Sequence, residues 1–224
     1  MLLILLRCHD ARHRALTERL SATGSTIGAG REWSRGEVLR DWRFPILMLA
    51  IVSPGFITTG LFFHQVHLVE SKGWTLEWFA TGFVAFAALK VCGSLISGEL
   101  VDRFGARKLS MIYLPPLSVG LLVLGFFDTP ISALAFMALA GLNGGMGQTL
   151  MGTLWAEIYG VRHLGAVRSL AFGIMVFASA AAPPIVGIMY DFGVTVETVA
   201  IFSAGICLLS TAMLAWVFNV RKTA

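Results

Sequence analysis

The stretch that decides the reading is Gly98-Glu99-Leu100-Val101-Asp102-Arg103-Phe104-Gly105-Ala106-Arg107-Lys108. It is a short polar break between two long apolar blocks. Gly98 lets a neighbouring helix come close. Gly105 permits a tight turn. Arg107 and Lys108 anchor the turn among lipid headgroups. Asp102 sits near the carboxy-terminus of a helix, where the dipole is negative, so it needs a positive partner: an Arg or the amino-terminus of another helix.

Outward from this break the sequence is organised in apolar blocks. Six are long enough to cross a hydrocarbon core, for which a helix needs about 20 apolar residues. They run near Phe44–Phe63, Trp78–Gly98, Leu109–Phe127, Ile131–Trp155, Val167–Met189 and Val196–Val217. Start signals precede three of them. Thr75 can cap the second block with Glu77 in its first turn, Thr129 is followed by Pro130, and Thr195 with Glu197 precedes the sixth. Only 13% of the residues are charged and 56% are hydrophobic. A soluble domain carries about 25% charged residues, so lipid is the expected solvent.

Charge placement orients the bundle. Fifteen of the 17 Lys and Arg residues fall on one side of the six blocks: in the leading segment, in the loops after the second and fourth blocks, and in the tail. The opposite loops hold Lys72 alone, and Lys90 lies inside the second block. Positive-inside logic predicts a multi-pass inner-membrane protein with both termini in the cytoplasm. The net charge of +4 is spread along these block edges, which suits anionic lipids and argues against nucleic acid as a partner. Cys8, Cys92 and Cys207 form no CxxC pair and no metal spacing. No cofactor or metal is expected.

The expected organisation has three parts. Residues 1–43 are the tail of a preceding helix (Met1–Leu6) and a basic cytoplasmic linker. Within that linker Ala11–Leu20 reads either as solvated chain or as a surface helix. Residues 44–219 are the six-helix bundle, and 220–224 a cytoplasmic tail.

With its spacing G-x-x-x-D-R-x-G-x-R-K after a second span, the opening stretch resembles the cytoplasmic loop motif of the major facilitator superfamily. The resemblance covers nearly the whole chain. It implies an all-α membrane protein, a six-helix bundle equivalent to one half of the facilitator fold. Because a basic linker precedes the bundle, that half is expected to be helices seven to twelve. Leu154-Trp155-Ala156-Glu157-Ile158-Tyr159-Gly160, His163-Leu164-Gly165-Ala166-Val167-Arg168, and Ala182-Pro183-Pro184 with Gly187 and Asp191 are similar to the bacterial monocarboxylate and oxalate:formate porters. The resemblance implies secondary active transport of a small organic solute by alternating access. A carboxylate anion is the expected solute and a proton the candidate coupling ion. It also implies a second six-helix half as partner: a missing amino-terminal half, a split partner or a second copy. Gly98, Asp102, Arg103, Gly105, Arg107 and Lys108 would form a cytoplasmic gate with Arg168 at the start of the fifth span.

Candidate binding residues lie at membrane depth. Lys90 is 12 residues past Trp78, about 18 Å along a helix and near the middle of a core about 30 Å thick. An ionisable residue there points to function. In the resembled porters a basic residue on this helix pairs with the substrate carboxylate; the usual position, about one turn further in, is held here by Ser94. Asn143, 12 residues past Ile131, sits at similar depth in the glycine run Gly141–Thr149. For Asn143 and Gln148, cavity contact and interhelical hydrogen bonding both remain open. His64, with Gln65 and His67, closes the first block at the outer face, where substrate contact, proton coupling and plain interfacial polarity are all compatible. Trp74, Trp78, Trp42, Trp155 and Trp216 read as an aromatic belt. Pro183-Pro184 should bend the fifth span.

A non-transporting membrane scaffold or sensor is the alternative to a porter. An integral-membrane enzyme would need a clustered site; Glu157, Tyr159 and His163 stand close in sequence but match no metal or triad pattern.

Overall fold

The computed structural model describes residues 33–220. The Met1–Leu6 helix tail, the Ala11–Leu20 segment, Cys8 and the extreme carboxy-terminal tail lie outside the described residues. The described regular structure is helical throughout, and six helices are long and apolar enough to span a membrane. The first span is Arg43–Phe63, the second Leu76–Phe104, the fourth Pro130–Tyr159 and the fifth Leu164–Asp191. The sixth is Val196–Val220, and the third joins two helices, Ala106–Ile112 and Leu114–Phe126, that meet at Tyr113. The second and fourth helices extend past the carboxy-terminal ends of their apolar blocks by one to two turns, through stretches that carry Glu99, Asp102, Arg103 and Glu157.

The start signals act as expected at two of three places. The Thr75 hydroxyl accepts from Trp78 N–H at 3.2 Å, and the Thr195 hydroxyl from Thr198 N–H at 3.3 Å. At the fourth span Pro130 opens the helix, but the Thr129 side chain makes no cap. Instead the Ser132 hydroxyl donates to Thr129 O at 2.6 Å. The far end of the expected linker belongs to the bundle: Ser34 and Glu37 form a capping box on the short helix Arg35–Arg40, and Trp33 N–H donates to Tyr159 O at 3.2 Å.

Large apolar side chains cover the outside. Phe177 is 80% exposed, Val84 74%, and Leu95 72%. A water-soluble monomer does not carry such a surface; a lipid-facing bundle does, with every helical amide paired internally. Inside, the second span packs on the fourth, the first on the fifth, and the third on the sixth. Exchanging spans one to three for four to six turns the second–fourth pair into the fifth–first pair. Because the exchanged helices run in opposite directions, the bundle has the order of two interleaved, inverted three-helix units.

The second–fourth contact is a glycine seam. A Cβ on Gly141 would overlap the Phe86 carbonyl, and one on Gly145 the Lys90 carbonyl; a Cβ on Gly93 would meet Leu142 O at 2.6 Å. The Ser97 hydroxyl donates to Thr149 Oγ1 at 2.7 Å along the same seam. Small residues are what allow two backbones to touch in lipid, where no hydrophobic drive pulls helices together.

The belt reading of the tryptophans holds in part. Trp42 and Trp216 are exposed and meet edge to face. Trp155 is fully buried and stacks on Tyr159 with ring centroids 6.0 Å apart. Trp74 is buried too, its indole N–H donating to Asp128 O at 2.7 Å. The fifth helix runs unbroken through Pro183-Pro184.

Candidate solute cavity

A cavity of about 520 Å³ opens between the first, second, fourth and fifth spans, with Tyr113 of the third at its wall. Its lining runs from mid-depth toward the end of the bundle that bears the basic loops. Apolar groups such as Phe86, Met151 and Phe172 dominate the wall, and the polar groups are few: Lys90, Gln148, Arg168, Thr58 and Tyr113. No carboxylate is among the lining residues. This is the usual makeup of a small-molecule site, a mostly apolar surface with a few placed polar groups.

Lys90 is half-buried on the second span. Its Nζ lies 5.6 Å from the centre of the Phe86 ring, a cation–π contact. It makes no ion pair with a described carboxylate. The backbone under it is pressed against Gly145 by the glycine seam, which fixes the point from which the side chain leaves. A second depression of about 390 Å³ shares Lys90, Phe86 and Gln148 and carries Ser94. Arg168, nearer the basic end, lines the main cavity and a neighbouring hollow with Trp155 and Ser169. Two cations therefore face one space with no described anion to balance them.

Three candidate residues take these places. Asn143 does not line the cavity. It is 2% exposed, and its Nδ2 donates to Tyr113 O at 2.7 Å, at the break in the third span. Of its two open readings, the interhelical one is what the packing produces, because the fourth helix turns that face toward the third. Nor does His64 reach the cavity. Its Nε2 lies 2.9 Å from Pro183 O, where the ring must carry its proton on Nε2 to donate, and its ring meets Tyr190 edge to face. Gly187 leaves the room for it: a Cβ there would stand 3.2 Å from His64 Cε1. Third, Arg168 lines the cavity and makes no described ion pair with Asp102.

The gate residues also rearrange. Gly105 has φ +82° and makes the tight turn. Gly98 has nothing within 4 Å of a Cβ position, so the close approach falls at Gly93, Gly141 and Gly145 instead. Asp102 is exposed, and Arg103 pairs with Glu99 one turn back at 2.5 Å. Lys108 lies over the Phe104 ring at 5.4 Å. The partner that closes the loop is Glu157, at the end of the fourth span. Its Oε2 accepts from Ala106 N–H at 2.8 Å and its Oε1 lies 3.1 Å from Arg107 Nε. The carboxylate thus caps the helix that begins at Ala106 and pairs with its second residue, a favourable site for a negative charge. Arg107 is held by protein rather than by headgroups alone. Glu157 is thereby committed, Tyr159 is buried and His163 exposed, so the three do not form a cluster.

The sequence pattern of the Major Facilitator Superfamily matches residues 45–224. The chain belongs to that superfamily. No curated protein matches it. Its fold is one six-helix half of the facilitator architecture, and its function class is transmembrane transport.

At the opposite end, sequence reading missed a second clamp. Lys72, counted there as the lone basic residue of the outer loops, has a side chain only 1% exposed. Its Nζ lies 2.5 Å from Asp128 Oδ1 and 2.8 Å from Glu197 Oε1. Burial pushes the ammonium pKa down, but the hydrogen bonds and charges of the two carboxylates outweigh it and hold it above the ordinary value of 10.5. A lone basic residue in acidic loops was the available signal.

Proposed function

We propose that this chain is the carboxy-terminal half, helices seven to twelve, of a secondary active porter for a small organic anion, a carboxylate. It works by alternating access in the inner membrane with both termini cytoplasmic. The observation that carries this reading is Lys90: a cation at mid-depth, on the wall of a cavity shared with Arg168, with no described carboxylate beside it. A charge at that depth is costly unless paired. A bound carboxylate would supply the pair and leave Gln148 and Thr58 to orient it. The apolar wall would then exclude water from the pair and strengthen it.

The partner in this reading is a second six-helix half, placed on the side where the cavity opens. The second and fifth spans are the least covered helices of the bundle, with 17% and 11% of their apolar cores buried. Superfamily sites form between halves, so full transport requires that partner: an amino-terminal half, a split partner or a second copy. A proton is the candidate coupling ion. Similarity of the Leu154–Arg168 segment to oxalate:formate and monocarboxylate porters favours the carboxylate class.

The test is uptake of radiolabelled small carboxylates into cells or liposomes containing the chain with its partner. Lys90→Ala should abolish uptake at unchanged membrane abundance, and Lys90→Arg should retain part of it. Uptake that survives Lys90→Ala removes that residue from the mechanism. Binding without flux would favour the second reading, a scaffold or sensor built on a half-transporter.

A further inference from the structure

Pro54 stands in the middle of the first span. A proline cannot donate to the carbonyl four residues earlier. That carbonyl belongs to Ala50, which is 1% exposed, and a buried carbonyl without a donor is a destabilising feature that folded chains avoid. Another helix supplies the donor: the Tyr113 hydroxyl donates to Ala50 O. The Ser53 hydroxyl, 3.4 Å away, adds a longer contact to the same oxygen. Tyr113 is itself held from the other side. It is the residue at which the third span breaks, and its own carbonyl accepts from Asn143 Nδ2 at 2.7 Å. One residue, 3% exposed, therefore ties the first span to the third and, through Asn143, to the fourth. Tyr113 and Pro54 both line the cavity, beside Ile51, Gly55 and Thr58 of the first span.

We propose that Tyr113 is a positioning residue for the solute cavity: its hydroxyl stands in for the amide proton that Pro54 lacks, and so sets where the first-span wall of the cavity lies relative to the fourth span. Asn143 keeps Tyr113 in register for that task. The inference concerns the shape of the cavity and holds whatever solute fills it, so it can fail while the carboxylate reading survives, and the reverse.

The experiment uses the full chain in detergent with Cys8, Cys92 and Cys207 replaced by alanine and a single reporter, Met151→Cys, on the fourth-span wall. The readout is the rate at which a water-soluble maleimide labels that thiol. Four proteins are compared: the parent, Tyr113→Phe, Pro54→Ala, and the double variant. Tyr113→Phe should change the labelling rate about tenfold, the effect of one buried hydrogen bond on an equilibrium. With Pro54→Ala the Ala50 carbonyl regains a helical donor, so adding Tyr113→Phe should then change the rate less than about twofold. A shift of equal size in both backgrounds, or none in either, overturns the proposal. If Tyr113→Phe aggregates, a monodisperse double variant supports it and an aggregating one overturns it, because the tyrosine would then be needed for something other than the proline.

Discussion

The second–fourth and first–fifth helix pairs occupy equivalent places in the bundle and are built in opposite ways. The second–fourth pair is seamed by Gly93, Gly141 and Gly145 with backbones in contact, and it is clamped at both ends. Lys72 joins the loop before the second span to Asp128 before the fourth, and Glu157 joins the end of the fourth to the turn after the second. The first–fifth pair carries Pro54, Pro183 and Pro184 and is joined by side-chain contacts, His64 to Pro183 O among them. Both pairs bring a cation to the same cavity, Lys90 from the stiff pair and Arg168 from the proline-bearing one. The two symmetry-related pairs thus differ in how their helices meet: backbone to backbone in one, side chain to helix in the other.

The largest expected effect tests the seam. Gly145→Val puts a branched side chain into the Lys90 backbone, and overpacking of this kind costs about 3 kcal/mol or more. Gly55→Ala at the first–fifth contact meets side chains alone, the Ser179 hydroxyl at 3.1 Å and Met175 Cγ at 3.9 Å, and should cost about 1 kcal/mol or less. Comparable unfolding midpoints for the two in detergent would erase the contrast between the pairs. Next in size, Asn143→Ala leaves Tyr113 O without its side-chain donor and should lower stability by about 1–2 kcal/mol. Gln148→Ala, on the cavity wall, should stay within about 0.5 kcal/mol and act on solute binding instead. If the two changes have the same profile of stability and binding, the division between packing and cavity residues on the fourth span is wrong.

The smallest effect concerns the Lys72 clamp. The folded Lys72 pKa lies above its unfolded value of 10.5. Its contribution is therefore complete below that value and is lost as pH rises through the higher folded one. Thermal stability of the wild type should fall more steeply than that of Lys72→Met between about pH 10 and pH 12, while the two run parallel near neutral pH. Parallel curves at high pH would mean the clamp adds nothing to the stiff pair.

Much of this was legible in advance where it depended on local chemistry. Thr75 and Thr195 announce helix starts because a hydroxyl before an apolar block can satisfy a free amide, and both do so. Gly105 announces a turn because its left-handed φ suits glycine. The direction in which a side chain leaves its helix was not legible. Asn143 and Lys90 lie at similar depth, yet one binds a neighbouring carbonyl and the other faces the cavity. Trp155 and Trp216 both lie toward the basic end, yet one is core and the other surface. Asp102 looked like the acid of the loop, but Glu157 occupies the position facing the Ala106 amide.

The amino-acid sequence alone determined that six helices cross a membrane. Span length and hydropathy are sums over neighbouring residues, and lipid responds to them without reference to the fold. Only the tertiary structure decided which polar groups share the cavity and which close a seam. Each residue turns the helix face by about 100°, and in helices apolar on every side no periodic pattern records which face meets a neighbour. That choice is made by the glycines, prolines and buried hydrogen bonds that set how the helices rest on one another.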